Sequence, residues 1–251
     1  MSVTRAVVVT PYYREDRAFL ERCIESVQRQ SVRTDHLLVA DGHPQDWIDR
    51  TGVRHLRLDR PHRDFGNTPR GIGAVLAAAE GYPAISLLDA DNWLQPDHVE
   101  ACLSAAGNAQ GGPCDFVVTR RNFVGPDGAR IEVEDEPPEL HVDTNCFFFL
   151  EGAFHTLPAW VLMPPQLSPI CDRTFWASLA SQGLTGADTG RATVNYYCIW
   201  EPVFRAAGLV PPPEAKPPID AGPAMAWLNG LDDRGLELVS RRLGSKLQRG
   251  R

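Results

Sequence analysis

In the stretch "AISLLDADNWLQPD" (residues 84–97), an apolar run leads directly into two carboxylates, Asp89 and Asp91. A run of this length and composition is typical of a buried strand. Like charges this close repel each other unless a cation or a ring of donors holds them. In open α/β sheets, ligands bind beyond the carboxyl ends of the strands. The stretch therefore predicts a buried strand that ends at a binding site.

Three further apolar runs precede it: "AVVVT" (6–10), "HLLVA" (36–40) and a weaker "VRHLRL" (53–58). Helical patterns lie between and after these strands. In "NTPRGIGAVLAAAEG" (67–81), Thr68 is predicted as the N-cap and Pro69 as the first helical residue. A further helix is expected from Pro96 to about Ala106. Strands that alternate with helices predict a parallel sheet covered on both faces, in an open α/β domain.

The second half has a different pattern. Strands are predicted over 114–124, 141–150 and 192–200, and a short helix over 171–183. A turn-rich, acidic segment (125–140) separates the first two strands. Beyond residue 210 the chain is proline-rich, and a loosely packed amphipathic helix is expected near 224–247. We therefore divide the chain into a domain over 1–200, with halves 1–110 and 111–200, and a C-terminal extension over 201–251.

Composition excludes several classes of protein. The 251-residue chain carries a net charge of -7, which argues against coating nucleic acid or an anionic membrane. Its six cysteines include no C-x-x-C pair, so a zinc site or a disulfide framework is not expected. No stretch reaches the length of a membrane span. A cytoplasmic protein is predicted, and peripheral contact with a membrane surface is left open.

Polar residues follow three of the predicted strands: the segment Pro11 to Arg14 after the first, Asp41 after the second, and the paired aspartates after the fourth. A cavity is expected where they converge. Both the P-loop pattern and G-x-G-x-x-G after the first strand are absent. Arg70 lies in the first turn of its helix, where a cation opposes the macrodipole, so an anion sharing the site would explain it. A solvated arginine explains it equally well.

Two carboxylates together with a substrate diphosphate would suit Mg²⁺ or Mn²⁺, which prefer oxygen ligands. The alternatives are a solvated turn, or Asp91 as the cap of the next helix. A D-x-D after an apolar strand also occurs in haloacid-dehalogenase-type phosphatases. Those enzymes carry it on the first strand and need a lysine, whereas Lys216 and Lys246 both lie in the tail.

The ordered series "VVVTPYYRE", "LLVADGHP", "TPRGIGAVLAAAEG", "ISLLDADNWLQPDHV", "VDTNCFFFL" and "PICDRTFWASL" resembles the nucleotide-sugar glycosyltransferases of the GT-A fold, in particular family 2. The resemblance covers about residues 5–200. It implies an α/β fold with an open, mostly parallel sheet and helices on both faces. It also implies inverting transfer from a nucleoside-diphosphate sugar to an acceptor that the sequence does not identify, whether a saccharide, a lipid-linked acceptor or a small molecule.

The resemblance implies roles for individual residues of the donor half. Pro11, Tyr12 and Arg14 would lie near the nucleoside base, and Asp41 would accept a hydrogen bond from a base N–H. Arg70 would approach the nucleotide. Asp89 would contact ribose or metal, and Asp91 would bind the Mn²⁺ or Mg²⁺ held by the diphosphate.

In the acceptor half, the family's general base usually opens a helix. That position corresponds to Asp172, although Cys171 replaces the usual glycine or glutamate before it. Asp172 is equally suited to be an N-cap. The resemblance also places Asp143 beside the acceptor, and Trp176 is a candidate platform for a sugar ring. A nucleotide-binding module of the same fold without transfer activity is the alternative function.

Overall fold

The computed structural model describes residues 5–109 and 113–249. One sheet runs through the described chain in the strand order β3-β2-β1-β4-β8-β6-β9-β5, with β7 paired to β6. Its strands are β1 (Ala6–Tyr12), β2 (Thr34–Asp41), β3 (Arg54–Leu58), β4 (Ala84–Leu87), β5 (Trp93–Leu94), β6 (Phe116–Val124), β7 (Arg130–Ile131), β8 (Phe147–Leu150) and β9 (Gly186–Tyr197). The helices are α1 (Arg17–Gln28), α2 (Asn67–Ala79), α3 (His98–Gly107), α4 (Pro158–Leu162), α5 (Cys171–Ser181), α6 (Glu201–Ala206), α7 (Gly222–Gly230) and α8 (Asp233–Leu243).

The first four strands pair in parallel, as the alternating pattern predicts. All seven residues of β1 are buried, because helices cover the sheet on both faces. Val9 lies in register with Leu37 of β2 and with Leu87 of β4. The carboxyl ends of these strands therefore meet at one edge of the sheet, where Asp41 and the turn after Leu87 lie side by side.

The second half extends the sheet with mixed pairing. β8 runs antiparallel to both β4 and β6, whereas β9 runs parallel to β6. β9 begins at Gly186, before the predicted start at residue 192, and Gly186 lies opposite Phe116. A Cβ atom at Gly186 would lie 2.4 Å from the Phe116 ring, so the ring occupies the space that a side chain there would need. The early start of β9 thus depends on a contact that the sequence pattern does not display.

Helix α2 positions Arg70. The prediction that Thr68 caps this helix is wrong: the N-cap is Gly66, whose φ of 78° favours glycine. The Thr68 hydroxyl instead donates to Asp64 Oδ2 over 2.6 Å. The helix therefore starts at Asn67, two residues before the predicted start.

Beyond residue 210 the C-terminal extension forms two helices, α7 and α8, so the single helix predicted over 224–247 is wrong. The chain is extended at Leu231, and the Asp232 side chain then caps α8 by accepting from the backbone N–H of Gly235 over 2.7 Å. The expected loose packing is also wrong, since Ala224, Leu228 and Leu243 are buried in the main core. Within residues 5–109 and 113–249, no helix is long and apolar enough to cross a bilayer.

Candidate active site

A cavity of about 530 Å³ opens at the carboxyl ends of β1, β2 and β4. We call it the donor cavity. It is lined by Pro11, Tyr12, Tyr13, Glu15, Asp41, Arg63, Asp64, Phe65, Gly66, Pro69, Arg70, Asp89, Ala90 and Asp91. The parallel register of the strands brings these segments together, although they are far apart in the sequence.

Arg70 and Asp89 form an ion pair in this cavity. Arg70 is only 2% exposed, and its Nη2 donates to Asp89 Oδ1 over 2.6 Å. Nη1 donates to Asn67 Oδ1 over 3.0 Å. The sequence predicts an anion beside Arg70 at the start of α2, and within the protein that anion is the Asp89 carboxylate. Among residues 5–109 and 113–249, this pairing leaves Asp91 as the carboxylate without a partner from another residue at this end of β4.

Within the described residues, no side chain or backbone group of another residue forms a hydrogen bond or ion pair with the Asp91 carboxylate, and only its own backbone N–H donates to it. Burial raises its pKa to about 7, and the neighbouring charges of Asp89 and Glu15 add to the effect. Burial also raises the pKa of Glu15, partly offset by a hydrogen bond from the backbone N–H of Tyr13. This end of the cavity thus carries excess negative charge that a cation would relieve.

The acidic side chains of the donor cavity suit a divalent ion that is shared with a substrate. The described residues contain no group of three or more histidine, cysteine or acidic side chains placed to hold a metal by themselves. One or two carboxylates that share the ion with substrate phosphates are the usual arrangement for Mg²⁺. Asp91, with Asp89 beside it, fits that arrangement.

Of the other predicted nucleotide-binding residues, three line the donor cavity and one, Arg14, does not. Asp41 lines the donor cavity, but its carboxylate is 2.6 Å from Nδ1 of His62 and also accepts the His62 backbone N–H. Pro11 and Tyr12 line the cavity as well, and the Tyr12 hydroxyl bonds His55. Arg14 is exposed and lies over the Tyr13 ring, outside the cavity lining.

A second cavity of about 530 Å³ lies on the acceptor half, and we call it the acceptor cavity. It is lined by Arg121, Phe123, Val133, Glu134, Asp135, Glu136, His141, Asp143, Pro169, Ile170, Asp172, Arg173, Tyr196, Trp200, Pro202, Val203, Ala206, Pro218, Ile219 and Ala221. The acidic segment therefore contributes one wall, and residues after 200 contribute another.

Asp172 stands in the first turn of α5 at this cavity. It does not cap the helix, because the N-cap is Ile170 and makes no side-chain cap bond. Asp172 Oδ2 is bonded to His141 Nε2 over 2.7 Å, and Oδ1 accepts the backbone N–H of Arg173. Burial raises the pKa of Asp172, but the hydrogen bond and charge of His141 outweigh it, and the pKa lies below its ordinary value. Asp172 is thus held ionised.

A hydrogen-bonded bridge joins the two cavities. Asn145 donates from Nδ2 to Asp89 Oδ2 over 3.1 Å and to Asp143 Oδ1 over 2.7 Å. Asp143 in turn pairs with Arg121 over 3.0 Å. Burial raises the pKa of Asp143, and the charge of Arg121 partly offsets this. Asp143 is therefore a structural partner of Arg121 as well as a member of the acceptor cavity's wall.

Trp176 does not lie at the acceptor cavity. Its ring packs edge-on against Phe116 at 5.8 Å and near Phe147 at 6.0 Å, because the face of α5 that carries it turns toward the core. The aromatic rings at the cavity are instead those of Phe123, Tyr196 and Trp200.

Comparison with known proteins assigns the chain to a family. A model of "Glycosyl transferase family 2" matches residues 7–159, which is more than half of the chain. The chain belongs to glycosyl transferase family 2. The family resemblance read from the sequence is confirmed, and the haloacid-dehalogenase alternative is removed.

The relatives of this family-2 chain are distant and longer. It is 24% identical over 107 residues to "Putative glycosyltransferase EpsH" of Bacillus subtilis, covering 41% of this chain and 30% of that protein. It is 28% identical over 152 residues to the chondroitin synthase of Pasteurella multocida, covering 57% of this chain and 15% of that protein. The chain thus spans less than a third of either relative.

Solved structures confirm the GT-A fold. The crystal structure of S. aureus TarS 1-349 in complex with UDP superposes with a TM-score of 0.59 at 10% identity, covering 95% of this chain and 70% of that one. The complex of TarS 1-349 with UDP-GlcNAc gives a TM-score of 0.58 at 9% identity, covering 77% of this chain and 58% of that one. At this identity the likeness establishes the fold alone.

Sequence reasoning missed Glu15, His141 and Asn145. Glu15 follows the polar segment after β1, so its place in the sequence gave a signal. Asn145 is two residues beyond Asp143, in the same "VDTN" block. His141 carried no pattern of its own, because its partners Glu136 and Asp172 come from different segments of the chain.

Proposed function

We propose that this family-2 chain transfers a glycosyl group from a nucleoside-diphosphate sugar to an acceptor hydroxyl or amine, with inversion at the anomeric carbon. The observation that carries the proposal is the pairing of two adjacent cavities. One holds the D-x-D carboxylates, the other holds an ionised aspartate, and Asn145 bridges them. Two substrates that react with each other need such a juxtaposition.

The donor cavity is proposed to take the nucleotide. TarS, which shares the fold, has been crystallised with UDP and with UDP-GlcNAc, so a uridine nucleotide is the first candidate. Pro11 and Tyr12 are proposed to border the base, and Asp41 to accept a base N–H beside His62. Arg14 is proposed to contact the nucleoside base after its side chain leaves its position over the Tyr13 ring.

Asp91 and Asp89 are proposed to hold Mn²⁺ or Mg²⁺ together with the diphosphate. When bound, such an ion stabilises the negative charge that develops on the leaving diphosphate. Arg70 is proposed to orient Asp89 through their ion pair and to place a fixed positive charge close to the nucleotide.

Asp172 is proposed as the general base. The acceptor oxygen or nitrogen forms a bond to the anomeric carbon while the bond from that carbon to the diphosphate oxygen breaks. The electron pair of the broken bond leaves on the phosphate, and the acceptor proton passes to Asp172. Such a base contributes roughly 100-fold to 10,000-fold in rate.

The acceptor cavity favours an acceptor that is neutral or cationic around the reacting group. Five carboxylates face two arginines and His141 there, and Arg121 is already neutralised by Asp135 and Asp143. A phosphate or carboxylate near the reacting group would meet this negative charge. The rings of Tyr196 and Trp200 suit the apolar face of a sugar.

The proposal is tested by thermal shift and turnover. UDP, GDP and dTDP are screened with and without Mn²⁺, and binding at a ligand concentration of about 100 times Kd stabilises the fold by about 2.7 kcal/mol. Release of UDP from UDP-GlcNAc and other UDP-sugars is then followed, with Asp172→Asn as the variant. No stabilisation by any nucleotide would refute the donor site, and near-normal turnover by a folded Asp172→Asn variant would refute the base.

A further inference from the structure

The His141 ring is held between two carboxylates that come from separate segments. Its side chain is only 7% exposed. Nε2 is 2.7 Å from Asp172 Oδ2, at the start of α5. Nδ1 is 2.6 Å from Glu136 Oε2, in the acidic segment, as an ion-pair contact rather than an aligned hydrogen bond. Each ring nitrogen therefore faces a negatively charged carboxylate oxygen.

This arrangement favours the charged form of the ring, in which Nε2 makes the hydrogen bond to Asp172 and Nδ1 has only the charge of Glu136 beside it. Carboxylates accept hydrogen bonds, and a neutral imidazole has a single N–H to donate, whereas an imidazolium has two. The charged groups around the ring are the carboxylates of Asp172, Glu136 and Asp143 and the guanidinium groups of Arg121 and Arg173. Burial lowers the pKa of His141, but the hydrogen bond and charge of Asp172 outweigh it and raise the pKa above its ordinary value.

We propose that His141 is a positioning residue for Asp172, which it holds through Nε2 while Glu136 fixes the opposite side of its ring. The inference rests on the proposed role of Asp172 as the base. Oδ2 of Asp172 takes the imidazolium N–H and Oδ1 takes the backbone N–H of Arg173. Each oxygen retains a second lone pair that can take the proton of the substrate acceptor. The two hydrogen bonds also keep the carboxylate from rotating freely.

The pairing also ties the acidic segment to the base. Glu136 contacts His141 and also lies 3.5 Å from Arg173, the residue after Asp172. The acidic segment thus contacts both neighbours of Asp172, His141 and Arg173, and also forms a wall of the acceptor cavity.

The first test needs no substrate. Ring nitrogen resonances of the ¹⁵N-labelled chain are followed by NMR against pH, with His141→Gln to assign the signal. In the wild-type chain the His141 ring stays doubly protonated above the ordinary histidine range. Asp172→Asn should move its titration to lower pH, and Glu136→Gln should move it in the same direction by less. Glu139→Gln removes an exposed carboxylate of the same segment and is the matched control, expected to leave the titration unchanged.

The second test is kinetic and uses UDP release from UDP-GlcNAc. His141→Gln keeps an N–H donor but cannot carry a charge. Its kcat should fall roughly 10-fold to 100-fold, with the KM for the donor nearly unchanged. The acidic limb of its pH profile should move to higher pH, because the burial of Asp172 is no longer offset by a positive charge.

The outcomes separate the two proposals. An unchanged His141 titration in Asp172→Asn, or an unmoved acidic limb in His141→Gln, overturns the role of His141 while the base remains. Normal turnover by Asp172→Asn overturns the base itself. If UDP-GlcNAc is not turned over, the NMR titration decides the pairing alone.

Discussion

Neutralising Asp91 is expected to stabilise the metal-free chain at neutral and alkaline pH, even though it removes a residue proposed to bind metal. The pKa of this carboxyl rises from 3.8 to about 7 in the folded chain, mainly through burial. The folded chain therefore binds the proton more tightly than the unfolded chain does. The stability contributed by this group is fully present below about pH 4 and is lost as the pH rises to about 7.

The magnitude follows from this difference in pKa. A difference of about three pH units, at about 1.4 kcal/mol each, corresponds to about 4 kcal/mol, of which about 2.5 kcal/mol falls between pH 5 and pH 8. The Asp91 side chain is partly exposed, and screening by water reduces the effect. We therefore expect Asp91→Asn to gain about 1 to 2.5 kcal/mol over the wild-type chain when the pH is raised across this range.

Urea unfolding in EDTA at pH 5 and at pH 8 measures this gain. Glu139→Gln, which neutralises an exposed carboxylate, is the control and should follow the wild-type chain at both pH values. A stability difference between Asp91→Asn and wild type that is the same at pH 5 and pH 8 would show that the pKa of Asp91 is not raised in the folded chain. In the thermal-shift screen, the same variant should lose the additional stabilisation by Mn²⁺ in the presence of UDP.

Two further predictions concern α2. Arg70→Met removes the cation from a buried ion pair and should lower the free energy of unfolding in urea by roughly 3 kcal/mol. Adding Asp89→Asn to this variant should recover part of the loss. If the costs of the two substitutions are strictly additive, the two side chains do not stabilise each other. Gly71→Ala should cost about 1 to 3 kcal/mol, because the new Cβ would lie 2.5 Å from a Val161 methyl and 2.8 Å from the Val161 backbone nitrogen. Gly107→Ala, which meets nothing within 4 Å, should be neutral or slightly stabilising, and equal costs for the two would contradict this packing.

The first half of the fold was predictable because its signals are local. β1, β2 and β4 are apolar runs that stop at turn residues, and parallel pairing then places Asp41 and Asp89 at one edge. The pairing of β9 was only partly predictable, since its first residues are exposed or half-buried and show no apolar run. The break between α7 and α8 was missed because the polar face of the tail continues across Leu231.

The fold class, the family and the candidates Asp89, Asp91 and Asp172 could be predicted from the sequence, because order along the chain and residue type carry that information. Their partners, and the pKa shifts of Asp91 and Asp172, follow only from the folded chain. Asp89 is bound by Arg70 and Asn145, and Asp172 is held by His141, whereas Asp91 has no partner from another residue in the part of the chain that the structure describes. These differences arise from burial and from contacts between segments that are distant in the sequence, and no local pattern encodes them.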